Sequence, residues 1–139
     1  MMDNNKYIHA RTCVYNMNYH IVWTVKYRRK ILSAAIEFRL NEILIAIAKD
    51  KGFEVKAFSV GELDHVHIFI SAPPRLSVSY IVKMLKGISG RHLFLEFPEI
   101  KDKLCNGQLW NGSYFVETIG STSADNIKEY IERQKIVQR

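Results

Sequence analysis

The chain has 139 residues and is 47% hydrophobic, enough to bury one ordinary core and too apolar for a disordered segment. Lys and Arg total 20 against 14 Asp and Glu, a net charge of +6 that suits a polyanion such as nucleic acid. No apolar run is long enough to span a bilayer and no leader pattern is evident; with Cys13 and Cys105 far apart and read as free thiols, a reducing, cytoplasmic setting without a membrane is expected.

A single domain over 1–139 is expected, with residues 1–8 as a polar, flexible end. Tyr19 to Tyr27 is rich in β-branched and aromatic residues and predicts a strand. Ile36, Leu40, Ile43, Leu44 and Ile47 recur at helical spacing, so Ser33 to Lys51 predicts a helix stopped by Gly52. Phe53 to Val60 alternates as a second strand, and Gly61-Glu62-Leu63-Asp64 is a turn. His65 to Ser71 is a third strand, ended by Pro73-Pro74. Ser77 to about Phe94 predicts a second helix on Val78, Ile81, Val82, Leu85 and Ile88, weakened by Gly87 and Gly90. Glu96 to Gly107 reads as a loop, and Leu109 to Ile119 as a fourth strand with a Gly-Ser interruption. The last part, 121–139, predicts a C-terminal helix from Ala124 to about Val137, capped within Gly120-Ser121-Thr122-Ser123.

The resulting order, βαββαβ plus a final helix, predicts an α+β fold. Its plan is ferredoxin-like (RRM-like), an antiparallel sheet with helices on one face. Side chains alternate along a strand, so Val66, Ile68 and Ile70 turn to the core while His65, His67 and Phe69 share the other face. Tyr130 and Gln134, four apart on a helix, also share a face. Either pair alone has an ordinary reading: solvated strand histidines, a half-buried tyrosine, an idle surface amide.

Joined, they make a chemical kit. A phenol has a pKa near 10 and is a poor nucleophile at neutral pH without help. A divalent cation held by His65, His67 and Gln134 would sit one helical turn from Tyr130 and neutralise charge on a phosphate oxygen. Three neutral ligands leave the ion its full charge, and mixed N and O donors tolerate Mn²⁺ and, less well, Mg²⁺. Other H-x-H chemistries fit less well. Phe69 stands where a histidine triad needs its third histidine, cupin sites need more ligands, and a deaminase needs a Cys-x-x-Cys. Glu62 and Asp64 are assigned turn roles, and His9, His20 and His92 no role. Lys26, Arg28, Arg29 and Lys30 after the first strand, and Lys83, Lys86 and Arg91 on the second helix, are candidate DNA-binding residues. Tyr19, Trp23, Tyr27, Trp110 and Tyr114 could stack on bases or pack the sheet.

Five stretches carry a family likeness: Y-H-I-V-W-T-V-K-Y-R-R-K-I-L at 19–32, H-V-H-I-F-I at 65–70, I-V-K-M-L-K-G-I-S-G-R at 81–91, L-W-N-G-S-Y-F-V-E-T-I-G at 109–120 and Y-I-E-R-Q at 130–134. Across Tyr19 to Gln134 the chain resembles the single-tyrosine HUH transposases of the smallest prokaryotic insertion sequences, often called transposase A. The resemblance implies that His65 and His67 are the HUH metal ligands, Gln134 the third ligand and Tyr130 the nucleophile. It implies a single-strand DNA endonuclease and strand transferase that recognises hairpins near the element ends. Cleavage with Mg²⁺ or Mn²⁺ would form a 5′-phosphotyrosine and free a 3′-OH. It further implies a homodimer in which the tyrosine helix can complete the partner's site. Two alternatives stand beside it: a domesticated relative that processes repetitive extragenic hairpins, and a non-catalytic RRM-like nucleic-acid binder.

Overall fold

The computed structural model describes residues 7–104, 107–120, 128 and 130–132. A two-stranded ribbon comes first, with β1 (Ile8–His9) antiparallel to β2 (Val14–Tyr15). Ile8 pairs with Tyr15, so regular pairing begins inside the segment expected to be a free end. The main sheet holds β3 (Asn18–Thr24), β4 (Glu54–Gly61), β5 (His65–Ser71) and β6 (Phe115–Ile119), in the order β4-β5-β3-β6. Each neighbouring pair is antiparallel. Helix α1 (Ala34–Lys51) joins β3 to β4, and α2 (Val78–Glu96) joins β5 to β6. The chain is therefore a mixed α+β protein built on an antiparallel sheet, with α1 packed against α2 and β4.

Local chemistry sets the helix ends. The Ser33 hydroxyl accepts from the Ile36 amide at the start of α1, and the Ser77 hydroxyl accepts from the Tyr80 amide at the start of α2. Gly52 closes α1 in the left-handed region, at φ 91. The two glycines of α2 do not break it. Gly90 lies beside the Trp110 ring, and the Trp110 indole N–H donates to the Ser89 hydroxyl at 3.0 Å.

Two expected strands come out shorter. The first stops at Thr24 because the Val25 and Lys26 amides turn away to the carbonyls of Asp64 and Leu109. Lys26–Arg28 then form a 3₁₀ turn, with Tyr27 at φ 59. The fourth is split: Trp110 makes an isolated bridge to Val25, and continuous pairing resumes only at Phe115. Part of the expected loop, Pro98–Lys103, is a 3₁₀ helix.

The sheet's two faces have separate roles. Tyr19, Ile21, Trp23, Phe58, Val60, Val66, Ile68 and Ile70 join the buried faces of α1 and α2 in one core. A bulge between Val55 and Ala57 shifts β4 so that Phe58 and Val60 meet this core while Ala57, Ser59 and Gly61 turn the other way. The residues 65, 67 and 69 of β5 share that second face with them, as do 20, 22 and 24 of β3 and 115 and 117 of β6. Among the described residues, no helix is long and apolar enough to cross a membrane.

Candidate active site

Register puts the histidine pair on the second face, on the inner strand β5 with His65 at its end. His65 lies opposite Gly61 on β4 and Thr24 on β3, and His67 opposite Ser59 and Val22. The two rings sit edge to face with centroids 5.0 Å apart. Both are only partly covered.

Each ring has one nitrogen engaged. His65 Nδ1 is 2.8 Å from Asp64 Oδ1. A carboxylate can only accept, so Nδ1 carries a proton, and in the neutral ring Nε2 is left with its lone pair. Asp64 is buried, and burial alone would push its carboxyl up. The hydrogen bonds from His65 and Arg28, with their charges, outweigh this and hold it below the ordinary value. His67 Nδ1 is 3.2 Å from His20 Nε2, and His20 Nδ1 is 3.2 Å from Glu117 Oε1. Burial, with help from the neighbouring His65 and His20, pushes the His67 imidazole down to about 4. At neutral pH it is an uncharged base, the state in which imidazole binds a metal.

That depression also acts on stability. Between pH 6.5 and about 4 the unfolded chain takes up a proton on His67 that the folded chain refuses. Folding stability is therefore expected to fall as pH drops through that window and to be level above it. The loss is at most about 2 kcal/mol once solvent screening of a partly exposed ring is allowed for. Urea melts at pH 7 and pH 4.5 would measure it, and a His67→Gln variant should show a shallower slope.

Gly61 is the floor of the His65 position. A Cβ built there would overlap the His65 imidazole, so any side chain must move the ring. Gly61→Ala is expected to leave the fold standing but to displace His65, costing about 10²-fold in turnover by the usual penalty for a 1 Å misplacement. A cleavage assay run beside a thermal melt would check it.

The described residues beyond β6 reach this face. Lys128 and Tyr130–Glu132 are helical. Ile131 is fully buried in a cluster with Ala57 and Phe69, both on the histidine side of the sheet. Its neighbour Tyr130 stays exposed, at 47%. Gln134, and the joint at 121–123, lie outside the described residues.

The basic residues divide. Arg28 Nε is 3.4 Å from Asp64 Oδ2 and Lys30 Nζ is 3.7 Å from the same oxygen, so these two cations stand at the His65 end of the sheet. Lys26 donates to Gln108 Oε1 at 2.9 Å, and Arg29 is exposed. Lys86 is committed to structure: its ammonium donates to the Asn111 and Ser113 carbonyls, and burial pushes its pKa down. Lys83 and Arg91 are exposed on α2. Tyr19, Trp23 and Trp110 are buried as packing residues, whereas Tyr27 and Tyr114 are exposed.

A divalent cation was expected at His65 and His67, and the donors present fit one in part. Two imidazoles have their Nδ1 atoms occupied, and the buried Ser59 hydroxyl opposite His67 has no hydrogen-bond partner among the described residues. Among those residues no group of three His, Cys, Asp or Glu could hold a metal ion, so a third protein ligand must be of another kind or lie elsewhere. Sequence reasoning assigned no role to His20 and only a turn role to Asp64. The signal for His20 was available: it alternates with core residues Tyr19 and Ile21, which puts it on the histidine face once β3 pairs with β5.

The mixed α+β fold agrees with comparison to known proteins. The family model for IS200-like transposases matches residues 13–134, and the chain belongs to that family. It is 41% identical over 125 residues to the ISDra2 transposase TnpA of Deinococcus radiodurans, covering 90% of this chain and 89% of the relative. It is 32% identical over 134 residues to the transposase for insertion sequence element IS200 of Salmonella typhimurium, covering 96% of this chain and 85% of that protein. A crystal structure of a candidate transposase from Deinococcus radiodurans superposes with a TM-score of 0.76 at 38% identity, covering 91% of this chain and 97% of that one. The REP-associated tyrosine transposase bound to a REP hairpin shares the fold, with a TM-score of 0.64 at 16% identity, covering 94% and 73% of the two chains.

Proposed function

We propose that this IS200-like transposase cuts and rejoins single-stranded DNA at insertion-sequence ends, on a ferredoxin-like frame, by transesterification through Tyr130. The observation that carries the reading is the burial of Ile131 against Phe69 and Ala57, which docks the tyrosine-bearing helix on the sheet face of His65 and His67. Membership of the IS200-like transposase family supports a DNA-processing reaction.

The Tyr130 hydroxyl attacks the scissile phosphorus, the P–O3′ bond breaks, and the departing 3′ oxygen takes up a proton. The products are a 5′-phosphotyrosine and a free 3′-OH. Attack by a 3′-OH on that linkage reverses the step, so strands rejoin without ATP. His65, His67 and the Gln134 carboxamide would hold Mg²⁺ or Mn²⁺, which when bound draws charge from a non-bridging phosphate oxygen. Asp64 accepts from His65 Nδ1, which leaves Nε2 of the neutral ring as the nitrogen able to bind the ion. Arg28 and Lys30, beside Asp64, offer contacts for the DNA backbone near the cut. The DNA ends are read as hairpins, and two subunits act together, either helix serving either site.

The test mixes the protein and Mn²⁺ with labelled single-stranded ends carrying hairpins. A denaturant-stable adduct that maps to the Tyr130 peptide, and that does not form when EDTA is present from the start, is expected. Hairpin binding without any adduct would overturn the reading and favour a non-catalytic binder.

A further inference from the structure

We propose that Glu117 and His20 form a positioning relay that holds His67 in the tautomer able to bind a metal ion. The inference rests on the metal-site reading above and adds two residues to it. Glu117 sits on β6 directly across from His20 on β3, and His20 is a diagonal neighbour of His67 on β5. The spacing is 3.2 Å at both links, Glu117 Oε1 to His20 Nδ1 and His20 Nε2 to His67 Nδ1.

The donor sense of the chain follows from its carboxylate end. Glu117 ionised has only lone pairs to offer, so His20 Nδ1 donates to it. A neutral His20 with its proton on Nδ1 has a bare Nε2, which can only accept. His67 must then donate from Nδ1, which leaves the His67 Nε2 lone pair free. Reversing any link would put a proton on that Nε2 and remove it as a ligand. The His20 and His67 rings lie 13° from parallel with centroids 5.4 Å apart, and Phe115 closes over His20 edge-on at 6.4 Å. This packing restricts ring rotation.

The two candidate ligands are thus held in the same tautomer by different means. Asp64 acts on His65 directly, and Glu117 acts on His67 through an intervening ring. Outer partners of this sort fix the ligand's tautomer and ring orientation. Glu117 is half-exposed on the edge strand β6, and Gly120 follows β6 directly on the way to Tyr130. The relay therefore ties the strand that leads to the nucleophile to the ion's second ligand.

The test uses full-length protein and two readouts besides turnover. Long-range ¹H–¹⁵N correlation of the histidine rings without metal reports the His67 tautomer, and Mn²⁺ titration followed by electron paramagnetic resonance reports affinity. Wild type is expected to hold His67 with its proton on Nδ1. His20→Phe should give mixed tautomers and weaken Mn²⁺ binding about 10- to 100-fold. Glu117→Ala should act in the same direction, whereas Glu117→Gln, which keeps an accepting oxygen, should stay close to wild type. If His20→Phe does not fold, the two half-exposed Glu117 variants decide the matter. An unchanged tautomer and unchanged Mn²⁺ affinity in Glu117→Ala and His20→Phe would overturn the relay. Failure of wild type to bind Mn²⁺ at all would instead overturn the metal reading, and the inference with it.

Discussion

Tyr130→Phe is expected to abolish the covalent DNA adduct, with turnover down at least about a thousandfold, as when other enzymes lose their nucleophile. The variant removes one oxygen and keeps the ring. Tyr130 is 47% exposed and its neighbour Ile131 supplies the buried anchor, so neither folding nor helix docking should change. Hairpin affinity, measured by fluorescence anisotropy, should stay within a few fold of wild type. Loss of the adduct with binding intact would separate the nucleophile from the DNA-contact residues. An adduct formed by the variant would move the chemistry to another group.

The second large effect is expected from His67→Ala. The substitution removes one imidazole donor and leaves His20 Nε2 facing empty space at the centre of the sheet face. Metal-dependent cleavage should drop well beyond the roughly 10- to 100-fold typical of losing an outer partner. Raising Mn²⁺ should recover part of the rate, because the deficit lies in binding. The acid sensitivity attributed to His67 should also diminish, since the group refusing a proton is gone. Cleavage rates across a Mn²⁺ series, together with urea melts at two pH values, measure both consequences. An unaltered metal dependence would remove His67 from the ligand set.

Much of this arrangement was legible in one dimension. β5 runs from His65 to Ser71 as its residue pattern suggested, and α1 and α2 begin one residue after the serines that cap them. These elements have strong local signals: period-two alternation, period-four apolar spacing and a hydroxyl at the first turn. The separation of His65 and His67 from Val66 and Ile68 needed only that alternation. What could not be read depended on register between distant strands. Glu117 and His20 are neighbours only because β6 pairs with β3, and His20 meets His67 only because β3 pairs with β5. Lys86 looked like a surface cation on a polar helix stripe, yet its ammonium is taken up by the Asn111 and Ser113 carbonyls of a loop whose path has no local signature. The first strand ended early because Val25 and Lys26 found carbonyl partners on Asp64 and Leu109, a tertiary choice that overrode β propensity.

The hairpin between β4 and β5 carries two non-glycine residues in the left-handed region, Glu62 at φ 50 and Leu63 at φ 62. Such a conformation costs an L-residue on the order of 1–2 kcal/mol. The turn is nevertheless clamped: Lys30 Nζ, the Leu32 amide and the Val25 amide hold the carbonyls of Glu62, Leu63 and Asp64 in turn. Asp64 and His65 follow at once, so the aim of one imidazole is set by a stiff bend rather than by a relaxed one. A glycine at 63 would ease that bend and give Asp64 more latitude, trading accuracy for comfort. Backbone ease and the aim proposed for His65 pull against each other at this corner, and a sequence optimised for endurance alone would sacrifice the second.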